Sequence, residues 1–277
     1  MAKRRYNRPL TVSALRLSLV SLISYALAVQ SAQAWFVTPL TSPETKPAVG
    51  SIPRGTILPV RLNSTLSSVR SKPRQIVTAR ITQNVLLPNG AKIPKGSKVE
   101  GQIVEVASGN GTLGPRISVH FDKLHLSDRV IPIVVNLRAI AGFMEVYAAQ
   151  TPAVSPGIGD VFRWMTTIQV GGDVVYGDGG PVTSGENADD VLGNSVDGGV
   201  LVRVRANEAM GCRGELHDND RPQSLWVFSS DACGTYGLAH VQVAHAGRTD
   251  PIGVIVFASD NGTLKIQSGA GILLRVH

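Results

Sequence analysis

The chain has 277 residues, 43% hydrophobic and 17% charged, with 29 Gly and 16 Pro. That balance excludes a wholly disordered chain, which needs low hydrophobicity and high charge. The length suits one large or two ordinary domains. Its 27 basic and 20 acidic residues give a formal charge of +7.

Lys3, Arg4, Arg5, Arg8 and Arg16 open the chain with no acid among them. An apolar stretch of about 13 residues, Leu17–Val29, follows, then the small-x-small triplet Ala32-Gln33-Ala34. This order predicts a secretory signal peptide over 1–34. The apolar stretch is shorter than the ~20 residues that a membrane-spanning helix needs; an uncleaved anchor is the alternative. No other segment is long and apolar enough to cross a bilayer as a helix. Without the signal, 22 basic residues face 20 acidic ones. Global charge then gives no argument for nucleic-acid recognition. Export places the expected mature chain in the periplasm, at the outer membrane or outside the cell.

Residues 35–51 read as a flexible leader rich in Pro, Thr and Ser. A β module is expected over 52–141. Thr56–Leu62 is extended, and Gln75–Gln83 alternates apolar and polar residues as a half-buried strand does. Pro88-Asn89-Gly90 is a hairpin-type turn. Val99–Val106 and Arg116–Leu124 alternate again, the latter placing Ile117, Val119, Phe121 and the stem of Lys123 on one face. Val130–Leu137 is a strand whose Pro132 marks an edge or a bulge. Ten basic residues and no acid lie between Thr45 and Val99. Arg54, Arg61, Arg70, Lys72, Arg74, Arg80, Lys92, Lys95 and Lys98 form the candidate surface for an anionic partner. A merely solvated face is the competing reading.

Leu137–Ala149 could supply a short helix, weakened by Gly142. Residues 142–198 read as a loop-rich acidic insertion. Seven acids stand there between Asp160 and Asp197 against Arg163 alone, a charge pattern that could also neutralise the basic module within one fold. Residues 199–277 are expected to complete the barrel. Ser224–Ser229 reads as a buried strand, which puts Trp226 in the core instead of on a sugar-stacking surface with Trp164 and Tyr236. Val254–Ala258 and Thr263–Ile266 read as a hairpin around Asp260-Asn261-Gly262, and Gly271–Val276 as the last strand. The fold expected is all-β, a barrel or sandwich of about ten to thirteen short strands with at most short helices. TILPVRL at 56–62, GVLVRV at 199–204 and GILLRV at 271–276 echo one another without a regular period.

Cys212 and Cys233 are the only cysteines. An even count in an exported chain predicts a disulfide; a site shared with His217 lacks the paired thiols and imidazoles of a tetrahedral metal centre. Gly193-Asn194-Ser195-Val196-Asp197 fails the nucleophile-elbow pattern at its last position. His120 and His125, like His240 and His245, are five residues apart, a spacing that puts strand residues on opposite faces. His217, Asp218 and Asp220 could act as acid and base or bind a cation, but Asp-Asn-Asp is ordinary turn chemistry. Asp173 and Asp178 lack the alternation of a calcium loop. No catalytic set, metal site or cofactor is therefore expected, and a secreted hydrolase is the remotest of three readings.

The elements IPRGTILPVRL at 52–62, QIVTARITQNV at 75–85 and IPKGSKVEG at 93–101, with Arg116–Ile133 and Lys265–Val276, resemble the C-terminal β-barrel domain of the scaffold protein of bacterial type IV secretion and conjugation systems. The likeness covers about 52–140 and 264–276. It implies a periplasmic barrel that assembles with copies of itself and other envelope proteins. The family's membrane anchor, Pro-rich spacer and outer-membrane helices have no counterpart, so channel activity does not carry over. The function expected is an exported, non-enzymatic scaffold or interaction module of the cell envelope. The alternative is a binding protein for an anionic polymer or glycan through the 54–98 module.

Overall fold

A computed structural model describes residues 50–277, apart from 110–113, 155–164, 178, 186, 213–220, 245 and 261. The expected signal, most of the leader, Asp160, Arg163, Trp164, Asp178, Glu186, His217, Asp218, Asp220 and His245 lie outside the described residues. In chain order come β1 (Ile57–Leu62), β2 (Leu66–Ser67), β3 (Ile76–Ile81), β4 (Val85–Leu86), β5 (Lys92–Ile93), β6 (Lys98–Ala107), β7 (Arg116–His125), β8 (Val130–Pro132) and β9 (Val135–Ala141). Helix α1 (Phe143–Ala149) follows, then β10 (Ala153–Val154), β11 (Met165–Ile168), β12 (Val174–Tyr176), β13 (Pro181–Ser184), β14 (Asn187–Val196), β15 (Gly199–Val202) and β16 (Gln223–Ser224). The chain ends with β17 (Gly234–Tyr236), β18 (Val241–Ala244), β19 (Val254–Ser259), β20 (Lys265–Ile266) and β21 (Gly271–Val276).

The fold is all-β and built on a nearly closed barrel. Its sheet runs β17-β9-β21-β1-β3-β6-β7-β19-β18, with β8 beside β7. The two ends of this path lie next to each other. Across the seam the Leu137 N–H of β9 donates to the Ala246 carbonyl at 2.8 Å, just past β18. Alternating residues such as Val77, Ala79 and Ile81 point into the barrel and are buried there with Leu58, Phe257 and Leu274.

A second, seven-stranded sheet runs β10 to β16 in sequence order, every neighbour antiparallel. It packs on the outside of the barrel. Ile57, Ala139, Ala141 and Leu273 turn outward from β1, β9 and β21 and share a second core with Val146, Val175, Val200 and Phe228. This is why ILPVRL and GILLRV are continuous apolar stretches: both faces of these strands are covered. Strands exposed on one face read instead as alternation.

Several expectations change. Residues 142–198 hold α1 and five strands of the second sheet, not a loop-rich insertion. Four of these strands are only two to four residues long, too short to show periodicity, and the ten-residue β14 (NADDVLGNSV) has polar residues where a strand alternation would be apolar. Of 199–277, β15 and β16 join that second sheet and only the part from β17 onward completes the barrel. Val254–Ala258 and Lys265–Ile266 do not form a hairpin: β19 pairs with β7 and β18, whereas β20 pairs with β2. Ser224–Ser229 is buried as expected, but it turns at Trp226, whose φ is +57°.

Candidate functional site

The site follows from how the two sheets are joined. Gln83, just after β3, is 1% exposed. Its Nε2 donates to the Val200 carbonyl at 2.9 Å, and its Oε1 accepts the Trp226 N–H at 2.7 Å. Ser224 Oγ donates to the Asn84 carbonyl at 2.8 Å. These bonds satisfy buried groups on both sides and pin β15, β16 and the turn after it against the segment that follows β3. Beside this join the walls diverge and leave a cleft of about 1010 Å³.

One wall is the outer face of β1 and β3 with the loop before β6. It supplies Arg61, Arg80 and Lys95. The opposite wall is the β14–β15 hairpin around Gly198, whose missing side chain leaves room for the Lys95 ammonium. Phe143 and Gln150, from α1 and its C-cap, close a third side, and Val175, Val200 and Trp226 line the interior. Arg61 is the one exposed residue of β1. It stands directly across from Arg80 in the antiparallel register. Arg80 in turn stands across from Lys98. Like charges directly opposed on a sheet are mutually destabilising. Lys98 is neutralised by Glu100 at 2.7 Å. Among the described residues no carboxylate pairs with Arg61, Arg80 or Lys95. Arg80 Nη1 donates to the Gly96 carbonyl at 3.1 Å. Gly269, at φ +91°, lies against both the Phe143 ring and the Arg61 guanidinium.

The nine basic residues are placed in several parts of the fold. Arg61, Arg80 and Lys95 meet in the cleft. Lys92 lines an adjoining cavity with Asp197, so part of the acidic segment does come to the basic module. Arg70, Lys72 and Arg74 sit in the turn between β2 and β3, and Arg54 in the turn before β1, all exposed. Sequence reasoning missed Gln83, Phe143 and the glycines at 198 and 269. Gln83 interrupts the apolar alternation after β3, which was the one signal available for it.

The histidines rearrange. Gly101 pairs with Phe121 while the neighbouring Glu100 pairs with Lys123, so Asp122 is an extra residue in β7. That bulge restores phase: Phe121 and Leu124 both enter the barrel core, and His120 and His125 both point outward. The expectation that an odd spacing separates their faces fails here, as does the inward stem of Lys123, which is exposed. His125 Nε2 lies 3.2 Å from Glu100 Oε2, and His120 Nε2 lies 3.5 Å from Asp122 Oδ2. The ammonium of Lys98 above all, with that of Lys123, holds the Glu100 carboxyl below its ordinary range against the opposing effect of burial. His240 Nδ1 meets Asp260 Oδ1 at 2.9 Å on the surface. Among the described residues no three His, Cys, Asp or Glu side chains are grouped to hold a metal ion.

Two further groups are structural. Asp173 is 5% exposed, and burial pushes its carboxyl above the ordinary range. Its Oδ2 accepts the Ser230 N–H at 2.6 Å. Tyr236 is also raised by burial, and its hydroxyl accepts the Cys233 N–H at 3.0 Å. Cys212 and Cys233 are disulfide-bonded, with Cα atoms 6.2 Å apart. The bond fits an oxidising, non-cytoplasmic compartment. Among the described residues no helix is long and apolar enough to cross a membrane. No family model and no curated protein matches the chain.

Proposed function

We propose that this chain is an exported, non-enzymatic interaction module of the cell envelope, and that its partner is anionic. The observation that carries the reading is the cleft between barrel and side sheet, where Arg61, Arg80 and Lys95 gather with no carboxylate partner among the described residues. Uncompensated like charges are a cost to the fold that an anionic ligand would relieve. The likeness of 52–106 to the barrel of a secretion scaffold favours an envelope role, and the disulfide favours export. The barrel gives the cleft a rigid wall and the side sheet gives it depth.

The test is binding of fluorescently labelled polyglutamate at low and physiological salt. Affinity is expected to fall roughly tenfold or more as salt rises, because exposed charges are screened within about a Debye length. The triple variant Arg61→Gln, Arg80→Gln, Lys95→Gln is expected to abolish it. Binding that ignores both salt and the triple substitution would remove the cleft from the reading.

A further inference from the structure

Resting on the anionic reading, we infer that the cleft takes a phosphomonoester and that the Arg61–Arg80 pair is its receptor. The two side chains leave one face of the sheet from directly opposed positions on β1 and β3. Opposed residues carry their Cβ atoms about 5 Å apart, so two planar guanidinium forks share one space. Only one of their N–H groups is spoken for among the described residues, by the Gly96 carbonyl. A single carboxylate neutralises one fork and leaves the other charged. A phosphoryl dianion brings about two charges and three acceptor oxygens and can meet both forks in bidentate fashion. Lys95 adds a third cation at the same cleft. The Phe143 ring, which with Arg61 borders Gly269, offers an apolar shelf for the carbon skeleton that bears the phosphate.

The titration behaviour follows from what lines the cleft. Among the described residues, Arg61, Arg80 and Lys95 are the charged groups that line it, and no histidine or carboxylate does. The nearest acid of the adjoining cavity, Asp197, shares that cavity with Lys92. A phosphomonoester itself changes charge in the range to be tested, with a second ionisation near pH 6.

The experiment titrates the full chain with inorganic phosphate, glucose 6-phosphate, and vesicles of phosphatidylcholine with and without phosphatidate. Amide chemical shifts are followed for the two small ligands, and co-sedimentation for the vesicles. The inference expects saturable shifts at residues 61, 80 and 95, and binding roughly tenfold tighter at pH 7.5 than at pH 5, as the dianion fraction rises. It expects the charge-preserving pair Arg61→Lys, Arg80→Lys to lose about tenfold for glucose 6-phosphate, since the forks are gone, while polyglutamate binding holds. Preference for glucose 6-phosphate assigns the phosphate to a soluble sugar; preference for phosphatidate vesicles assigns it to a lipid headgroup. Phosphate ligands that bind no better than polyglutamate, or that ignore the lysine pair, overturn the inference while the anionic reading stands. A parent chain that binds neither phosphate ligands nor polyglutamate would end both.

Discussion

At the scale of single residues, the molecule is decided by a few buried polar groups. Gln83 bridges the two sheets with two bonds in a site sealed from water. Gln83→Ala would strand the Trp226 N–H, while the Val200 carbonyl would keep its bond from the Leu225 N–H at 3.1 Å. A buried group left unpaired costs about 1–3 kcal/mol, so a loss of roughly that size is expected in denaturant unfolding, with an altered affinity at the cleft beside it. Asp173 tests burial from another side. Its folded-state ionisation is pushed upward by desolvation. Ionising it therefore opposes folding, and the penalty grows as pH rises from its unfolded value towards its folded one. Asp173→Asn keeps an oxygen to accept the Ser230 N–H and removes the charge. It is expected to be more stable than the parent at pH 7 and no more stable at pH 3, in parallel thermal melts. Neither role was readable in the sequence: Gln83 shows there only as an interruption of an apolar alternation, and Asp173, with Asp178, only as an acid of an incomplete calcium-loop pattern.

At the scale of elements, legibility followed solvent exposure. β3 faces water on one side, so QIVTARITQ alternates and was readable. β1 and β21 are covered on both faces, and their apolar stretches were readable as strands, though what covered their outer faces was not. The side sheet was missed because several of its strands are two to four residues long and its polar turns dominate any window. The β7 bulge was missed because one extra residue leaves no compositional trace. Its partner does: a Cβ at Gly101 would lie 2.0 Å from the His120 carbonyl oxygen. Gly101→Ala cannot be accommodated without moving backbone. It is expected to destabilise the barrel by more than the 1–3 kcal/mol typical of overpacking, and to shift His120 and His125 resonances. A neutral outcome would show that the bulge is not fixed by that glycine.

At the scale of the whole molecule, the two sheets make one unit from Thr45 to His277, and the disulfide ties its later part together. Cys212 and Cys233 enclose a separation of 21 residues. Closure of such a loop contributes about 3 kcal/mol in the chain-entropy model. Cys212→Ser with Cys233→Ser is expected to lower unfolding stability by about that amount, and reduction of the parent to do the same. The basic character of 54–98 was legible from charge counting, but its division into one cleft and several dispersed cations was not. Which cations converge depends on the register of β1 with β3 and on a sheet contributed from more than a hundred residues away.

The most direct measurement of the central claim is hydrogen exchange with and without a saturating polyanion, polyphosphate being the simplest. The account predicts added protection confined to the cleft walls, at residues 61–63, 80–82, 95–96 and 195–200. Protection centred on Arg70, Lys72 and Arg74, or spread over the outer barrel face at His120 and His125, would contradict it.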